Sequence, residues 1–402
     1  MIARYRGLLE SPGALRLLTA SVVGRLPLGM FPLAVLLLTN EQVRSLSAGG
    51  AAVGAAALAS ALTTPVKAHL LIRSGIRPVI LGSAGSQTML LVALVLVARS
   101  AQVLPIVLAA AACGAVQPPT SACARGLWPQ VAPNLTARDA AYALDATSQE
   151  LIWTAGPLFV TVTASAVSPT AAMLLTAAVG LGGNAWFASS PLCTRDVTAG
   201  RRVDSGGSPL GRRPMRMLLG TIVLTGLMAG ALEVGLPALA IHLGEAGAGG
   251  ALLALWSLGS MGGGIVYGAR SWTTSLVTRY VALLIALAAC TALLALARTL
   301  GVALLLSFVA GIGQAPLLTS QFSLVNAFAP PGGVTTAFTW STAALVIGIS
   351  AGSTLAGAIA HSDGVATPFL AAAAAAIVAA AGSMTLRSEL TAAPGASYRA
   401  GA

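Results

Sequence analysis

Residues Pro191 to Pro214 have the sequence PLCTRDVTAGRRVDSGGSPLGRRP, a polar stretch that divides an otherwise apolar chain into two halves. Its arginine, glycine, serine and proline content favours a flexible, solvated linker over packed structure. Long apolar stretches fill the chain on either side of it. The sequence therefore predicts an N-terminal bundle over residues 1–190, a linker over 191–214 and a C-terminal bundle over 215–402.

The apolar stretches have the length that a membrane-spanning helix needs, about 20 residues. Twelve candidates lie near residues 14–38, 48–72, 79–98, 103–124, 139–164, 168–190, 215–242, 249–270, 280–298, 301–325, 334–360 and 367–386. Their length and alanine- and leucine-rich composition favour helices over barrel strands, which would alternate apolar and polar residues. We expect an all-α membrane protein with twelve transmembrane helices in two six-helix bundles.

The composition requires lipid around most of the chain. Only 8% of its 402 residues are charged and 56% are hydrophobic, with a mean hydropathy of +0.86, whereas a soluble domain has about 25% charged residues. In a soluble chain the net charge of +11 would suggest a nucleic-acid partner. Here a topological origin is expected, and we predict membrane lipid and no nucleic acid as partners.

The basic residues lie mainly in every second gap between the spans. With the N-terminus inside, 18 of the 22 basic residues lie on the cytoplasmic side, three lie outside, and Arg25 lies within a span. The 18 include Lys67, counted with the loop after the second span, and Arg279, counted with the loop after the eighth. Cytoplasmic loops collect arginine and lysine. The pattern predicts a multi-pass protein of the plasma membrane with both termini in the cytoplasm.

The motifs of several enzyme and cofactor classes are missing from the sequence. The four cysteines form no CxxC pair and the three histidines are scattered, which argues against a metal site. The sole lysine, Lys67, is followed by alanine, so no Walker A loop is present. We therefore expect no enzyme activity, no metal and no cofactor, and an ion gradient, with protons as the expected ion, as the energy source.

Short motifs recur between the halves at a nearly constant offset. The pairs are Ala48-Gly49-Gly50-Ala51 with Ala248-Gly249-Gly250-Ala251, Gln117-x-Pro119 with Gln314-x-Pro316, Ala132-Pro133 with Ala329-Pro330, and Ala155-Gly156 with Ala351-Gly352. The offsets are 200, 197, 197 and 196 residues. This order predicts two structural repeats in the same orientation, as in transporters built from parallel halves.

Two six-span halves, a basic central loop and cytoplasmic ends resemble the major facilitator superfamily across the whole chain. The loop after the second span in that family usually has the pattern Gly-x-x-x-Asp-Arg-x-Gly-x-Arg. Residues 68–77 match it at Arg73, Gly75 and Arg77, with Ala68 and Ile72 in place of the glycine and the acid. The resemblance implies that this loop takes part in conformational switching.

The fifth span is similar to that of bacterial efflux members of the same superfamily. It carries acidic residues and contains Gly156-Pro157, as the antiporter motif does, although Val160-Thr161 replace the trailing glycines of that motif. The resemblance suggests a proton antiporter that exports its substrate. Gly156 and Pro157 would either break the helix or allow close packing.

Ionisable residues at membrane depth are costly and are functional candidates by default. Arg25 and Glu150 lie about eleven residues into their spans, at a similar depth, and the resemblance makes the first and fifth helices neighbours. We hypothesise an ion pair between them, either a structural lock or a proton-sensitive pair. Asp145 lies on one helical stripe with Tyr142 and Gln149, in either a polar network or proton transfer.

Glu233 precedes Gly235 and Pro237 in the seventh span. The resemblance places this helix beside the central cavity, often with a break near its outer end, which the glycine and the proline would permit. A carboxylate beside such a break could bind a cation or a proton. Alternatively, Glu233 reaches the outer water layer.

Gln117 and Gln314 occupy equivalent positions in the two repeats, on helices that the resemblance places around the cavity. Amide groups in a mostly apolar cavity can orient a substrate, or they can form hydrogen bonds between helices. Both interpretations stay open.

These observations predict a secondary transporter of small molecules that works by alternating access. Proton-coupled efflux of a drug-like compound or metabolite is the preferred subtype, and an uptake carrier is the alternative. A membrane-embedded enzyme or receptor is a rival from another class, but the sequence shows neither a catalytic constellation nor an added soluble domain. We expect a monomer that binds a small-molecule substrate and a coupling ion.

Overall fold

The computed structural model of the chain describes residues 11, 13–132, 134–194, 209–245, 248–270, 272–330, 332–362 and 366–386. Within these residues the protein is helical and contains no strand. The all-α class predicted from the sequence is therefore confirmed for the described part of the chain. Arg4, Arg6, most of the linker and the arginines of the C-terminal tail lie outside it.

The helices follow the apolar segments of the sequence. The helices of the first half are α1 (Ala14–Val43), α2 (Leu46–Leu62), α3 (Thr64–Ser74), α4 (Ile76–Ala98), α5 (Val103–Ala115), α6 (Thr120–Val131), α7 (Leu135–Ala166), α8 (Pro169–Ala188) and the short α9 (Pro191–Thr194). A 3₁₀ turn over Pro209–Gly211 precedes α10 (Arg213–His242), α11 (Gly249–Ala269), α12 (Leu276–Leu294), α13 (Leu300–Ile312), α14 (Gln314–Phe328), α15 (Val334–Ser362) and α16 (Ala366–Met384).

Ten segments among the described residues are long and apolar enough to cross a membrane, or eleven if α2 and α3, bent by 46° at their junction, form one span. The pairs α5–α6 and α13–α14 each count as one of them. Helix α7, the predicted fifth span, is not among them, and it carries Asp145 and Glu150. The chain is a multi-pass helical protein, and the number of twelve spans stays a prediction.

The described residues divide into two compact units. The first unit takes its residues from Glu10–Val131 and Ser148–Asp204, and the second from Ala132–Thr147 and Ser205–Ala402. Helix α7 therefore begins in the second unit and ends in the first. The sequence did not predict this division of α7, and the boundaries at 1–190 and 215–402 stay predictions.

The two units contain equivalent close helix crossings. A Cβ atom on Gly114 of α5 would overlap the carbonyl oxygen of Ala56 in α2, and a Cβ atom on Gly311 of α13 would overlap that of Trp256 in α11. The two glycines are 197 residues apart and their partners 200 apart, which are offsets found between the sequence motifs. The crossings therefore support the predicted repeat.

A second pair of crossings involves the predicted Gly156. In the first unit, a Cβ atom on Gly156 of α7 would lie 2.6 Å from the carbonyl carbon of Gly29 in α1. In the second unit, a Cβ atom on Gly352 of α15 would overlap the carbonyl oxygen of Leu227 in α10. Small residues let transmembrane helices approach at backbone distance. Helix α7 continues through Gly156 and Pro157, so the predicted helix break is absent and Gly156 allows close packing.

Candidate functional site

A polar cleft in the first unit is the candidate site. It is lined by Gly24, Arg25, Pro27 and Leu28 of α1, Gln87 of α4, Gln117 and Pro118 of the α5–α6 junction, and Thr120 of α6. These residues include one charged and two amide side chains. The structure thus brings Arg25 and Gln117, predicted separately from the sequence, to the same cleft.

The cleft forms where the helix of the predicted fourth span is interrupted. Helix α5 ends at Ala115 and α6 begins at Thr120, and the intervening segment contains Pro118 and Pro119. Proline has no backbone N–H, so the hydrogen-bond ladder of α5 cannot continue through this segment. The last carbonyl groups of α5 consequently need donors from elsewhere.

Side chains from neighbouring helices supply those donors. The Thr63 hydroxyl donates to the carbonyl oxygen of Ala115 at 2.9 Å, the Lys67 ammonium to that of Gly114 at 3.5 Å, and Gln87 Nε2 to that of Cys113 at 3.5 Å. Irregular backbone at membrane depth is tolerated where it is buried in protein or lines a cavity. The interruption therefore accounts for the concentration of polar side chains here.

The bend between α2 and α3 lies against this interruption. Ser60, one turn before the bend, donates its hydroxyl to Gln117 Oε1 at 2.9 Å. Lys67, one turn after the bend, places its Nζ 3.5 Å from the Ser60 hydroxyl oxygen. The bend and the break thus form one polar network. Of these residues, only Gln117 is predicted from the sequence as a candidate site residue. Ser60, Lys67 and Gln87 are not, although Thr64-Pro65 in an apolar span is a signal for the bend.

Arg25 is fully buried on α1. Its Nε donates to the Ser21 carbonyl oxygen at 3.1 Å and one terminal nitrogen donates to the Ser21 hydroxyl at 3.2 Å. These contacts lie within its own helix and direct the guanidinium group. Glu150 of α7 is also buried in the first unit. The Arg25–Glu150 ion pair stays a hypothesis.

Asn184 of α8 fixes two walls of the cleft. Its Nδ2 donates to the carbonyl oxygen of Gly24 at 3.0 Å and to that of Gly180 at 2.8 Å. Its Oδ1 accepts the hydroxyl proton of Thr120. One buried amide therefore ties α1, α6 and α8 together beside the lining residues.

We expect the Asn184–Thr120 contact to stabilise the first unit by an amount that a double-mutant cycle can measure. Interhelical hydrogen bonds in membranes contribute about 0.6 kcal/mol on average and about 1.7 kcal/mol at most. The cycle combines Asn184→Ala and Thr120→Val and compares unfolding midpoints in detergent. Thr88→Val is the control, because its hydroxyl bonds only within α4, to Ala84 at 2.8 Å. Strictly additive effects of the two substitutions would contradict the assignment.

The second unit contains an ion-pair network that the sequence analysis missed. Arg279 of α12 lies 3.5 Å from Asp139 of α7 and donates to the Tyr267 hydroxyl at 3.0 Å. Asp139 also accepts the hydroxyl proton of Ser323 at 2.7 Å. Sequence analysis had counted Arg279 only as a loop charge. Asp139 directly after Arg138, at the start of a predicted span, was the available signal.

A second buried polar chain crosses the same unit. Gln321 Nε2 of α14 donates to the Thr225 hydroxyl at 2.7 Å and to the Tyr280 hydroxyl at 3.0 Å. Thr225 lies on α10 and Tyr280 on α12, so the amide joins three helices. The sequence analysis considered Gln314 on this helix but not Gln321.

Comparison with known proteins gives a match at the level of structure. No protein-family model and no curated protein sequence matches the chain. The human organic anion transporter MFSD10 (TETRAN) matches with a TM-score of 0.72 at 17% identity, over 92% of this chain and 99% of that one. A bacterial homologue of the iron transporter ferroportin, in an outward-facing state, matches with a TM-score of 0.72 at 13% identity, over 93% and 99% of the two chains.

The same bacterial homologue with soaked iron gives a TM-score of 0.72 at 13% identity, over 92% and 98% of the two chains. These structural neighbours are an organic anion transporter and a homologue of an iron transporter, and the chain shares their fold. At such identities the likeness establishes the fold alone.

The seventh predicted span is a continuous helix, whereas the sequence predicted a break near its outer end. Helix α10 runs without a break from Arg213 to His242, through Gly235 and Pro237. A Cβ atom on Gly235 would lie 3.1 Å from the ring of Phe369, so this glycine allows packing. The expected break is therefore absent, and Glu233 lies exposed on a continuous helix. Its role in binding a cation or a proton and the alternative that it reaches the outer water layer both stay predictions.

The side-chain oxygen of Gln314, unlike that of Gln117, has no hydrogen-bond partner among the described residues, although the two glutamines occupy equivalent positions in the sequence repeat. Gln314 is the first residue of α14, and only Gly313 separates α14 from α13. Its side chain is 6% exposed. Gln314 belongs to the second unit and Gln117 to the first.

The predicted switch loop connects α3 to α4 of the transporter fold. Gly75 has φ of 79°, a conformation that favours glycine, and Arg73 and Arg77 are exposed on either side of it. The positive charge of Arg77 acts on the buried thiol of Cys193 in α9. Burial raises the pKa of Cys193 to about 11, against the opposing effect of Arg77 and Arg16. A role of this loop in switching stays a prediction.

The predicted stripe of α7 lies across the division between the units. Asp145 and Tyr142 are fully buried in the second unit, where the Tyr142 ring lies 5.7 Å from that of Phe338. Gln149 lies in the first unit and accepts a hydrogen bond from Arg125 at 3.2 Å. Proton transfer by Asp145 stays a hypothesis.

Proposed function

We propose that the protein is a secondary active transporter that exports a drug-like compound or metabolite across the plasma membrane. It works by alternating access between two bundles, and inward proton movement drives export. The polar cleft of the first unit carries this proposal. It combines an interrupted helix, a bent helix and converging amide and cationic side chains within apolar spans.

Discontinuous helices are the usual sites of substrate and ion binding in transporters. In this chain the α5–α6 break exposes carbonyl groups that side chains of α2–α4 satisfy. A helix that served only as a membrane span would gain nothing from such an interruption. The structural neighbours, an organic anion transporter and a homologue of an iron transporter, support a transporter in general.

The test is transport by the purified full-length chain in proteoliposomes with an imposed pH gradient and a panel of small solutes. We expect at least one solute to move against its concentration gradient when protons move in the opposite direction. Movement in the same direction as protons would support the uptake alternative. Gradient-independent leakage of every solute would contradict secondary active transport.

We expect Glu150→Gln to abolish transport driven by the pH gradient while exchange of solute between the two sides persists. The reason is that a buried carboxyl group at membrane depth can take up the driving proton, whereas an amide cannot. Exchange of labelled against unlabelled solute without a gradient separates binding from coupling. Glu41→Gln is the control, because Glu41 is exposed at the end of α1. Full pH-driven transport by Glu150→Gln would leave Glu150 only a structural role.

A further inference from the structure

We propose that the polar cleft binds the anionic group, a carboxylate or a phosphate, of the transported solute, and that Lys67 supplies the charge that attracts it. This inference rests on the proposed transport function and specifies its substrate class. It begins with the sole lysine of the chain, which the sequence analysis had assigned to a cytoplasmic loop.

Lys67 is buried, with only 8% of its surface exposed. Its Nζ lies 3.5 Å from both the Ser60 hydroxyl oxygen and the Gly114 carbonyl oxygen. No Asp or Glu among the described residues lies within ion-pair distance of it. A buried charge is costly unless it is paired. The described first unit therefore contains an ammonium group that its own residues do not neutralise.

The direction of the side chain is informative. Lysine side chains near the ends of spans normally extend toward the water layer. The Lys67 side chain extends the other way, back past the bend to Ser60 and away from the exposed Arg73 and Arg77. Its charge is consequently held beside the helix break.

The ammonium group has donor capacity to spare. It carries three N–H donors, and its two recorded contacts of 3.5 Å are longer than the usual 2.7–3.2 Å of an N–H···O bond. The geometry is that of a charge held near a site that another acceptor can fill.

A chain of two hydrogen bonds connects the Lys67 ammonium to Gln117 in the lining of the cleft. Ser60 accepts from Lys67 and donates to Gln117 Oε1, so the polarity of this chain runs from the ammonium toward the amide. Hydrogen-bonded chains polarise one another, which makes the Gln117 NH₂ group a stronger donor. No partner for that NH₂ group is found among the described residues. Gln117 therefore offers a donor to the cleft.

The other residues that line the cleft also favour an anionic ligand. None of the lining side chains is a carboxylate. Opposite charges a few ångströms apart at a protein site attract strongly, even at an effective dielectric constant of about 20. A cationic solute would be repelled by Lys67, and a neutral one would not compensate the burial of its charge.

The experiment uses probe pairs that share a ring and differ in charge. Benzoate is compared with benzamide, and phenyl phosphate with benzylammonium, by thermal stabilisation of the purified full chain and by uptake or exchange in proteoliposomes. We expect binding of the anionic probes to exceed that of the neutral and cationic probes by about tenfold or more. Benzoate against phenyl phosphate distinguishes the two anion classes.

Three variants assign the effect to Lys67. Lys67→Met, which keeps the length of the side chain, is expected to abolish the preference for anions and to keep the response to benzamide. Lys67→Arg is expected to retain the preference. Arg99→Met removes an exposed charge from the end of α4 and is expected to leave it unchanged. Unfolding midpoints of all three establish that each is folded.

The failures are distinguishable. Equal responses to all probes, or an unchanged preference in Lys67→Met, overturns the anion site whether or not the chain transports. Selective anion binding without transport under any gradient overturns the proposed function and leaves the site standing.

Discussion

Replacing Gly114 or Gly311 by alanine is expected to destabilise the protein strongly, by forcing two closely packed helices apart. In each case the new Cβ atom would overlap a backbone carbonyl oxygen, of Ala56 and of Trp256 respectively. A backbone atom cannot rotate away as a side chain can, so α2 and α5, or α11 and α13, must separate. Overpacking costs about 1–3 kcal/mol in typical cores, and a backbone clash belongs at or above the upper end of that range.

The measurement is the unfolding temperature in detergent, together with the monodisperse fraction on size exclusion. Gly82→Ala is the matched control, because Gly82 lies in the interior of α4 and a Cβ atom there would have no neighbouring atom within 4 Å. Alanine favours helix over glycine by about 1 kcal/mol, so this control is expected to be neutral or stabilising. Wild-type unfolding of Gly114→Ala and Gly311→Ala would contradict the packing described here.

These crossings show how far the sequence predicts the fold. The near-constant offset of four short motifs predicted two repeats, and Gly114 and Gly311 share the offset of the glutamine motif. Length and composition located the apolar spans, since a bilayer requires long runs of apolar residues. Which glycine contacts which carbonyl oxygen depends on helix rotation and crossing, and no local pattern encodes these.

The candidate site was harder to predict. Arg25 and Gln117 were identified because polar residues within apolar segments are conspicuous. Lys67 was assigned to a loop because charge counting places cations at span ends, and only the bend between α2 and α3 buries it. Gly235 and Pro237 suggested a helix break, but α10 continues through both and Gly235 packs on Phe369. Tertiary packing decided both outcomes.

Replacing Asp139 by alanine is expected to destabilise the second unit strongly, and more than replacing Asp139 and Arg279 together. Arg279 is 8% exposed and Asp139 17% exposed, so the pair is largely shielded from water. Removing one partner of a buried pair costs about 3–5 kcal/mol, because the remaining charge loses its compensation. Partial exposure of Asp139 places the expected loss near the lower end of that range.

The neighbours that Arg279 would keep after the substitution cannot replace the negative charge of Asp139. After the substitution, Arg279 would retain the Tyr267 hydroxyl at 3.0 Å and the ring of Trp272 at 5.7 Å, but neither carries a negative charge. Ser323 would lose its acceptor on Asp139. Asp139→Asn keeps an oxygen for Ser323 and removes the charge, so its effect is expected to be intermediate.

The double variant Asp139→Ala/Arg279→Met removes both charges and keeps an apolar side chain of similar length at position 279. Because the desolvation of Arg279 no longer has to be offset, we expect its unfolding temperature to lie above that of Asp139→Ala. Arg298→Met, an exposed cation of the same unit, is the control and is expected to have little effect. If the double variant is as unstable as Asp139→Ala alone, the ion pair is not what holds α7 to α12 and α14, and the Ser323 hydrogen bond and the Tyr142 aromatic contacts must hold that end of α7 instead.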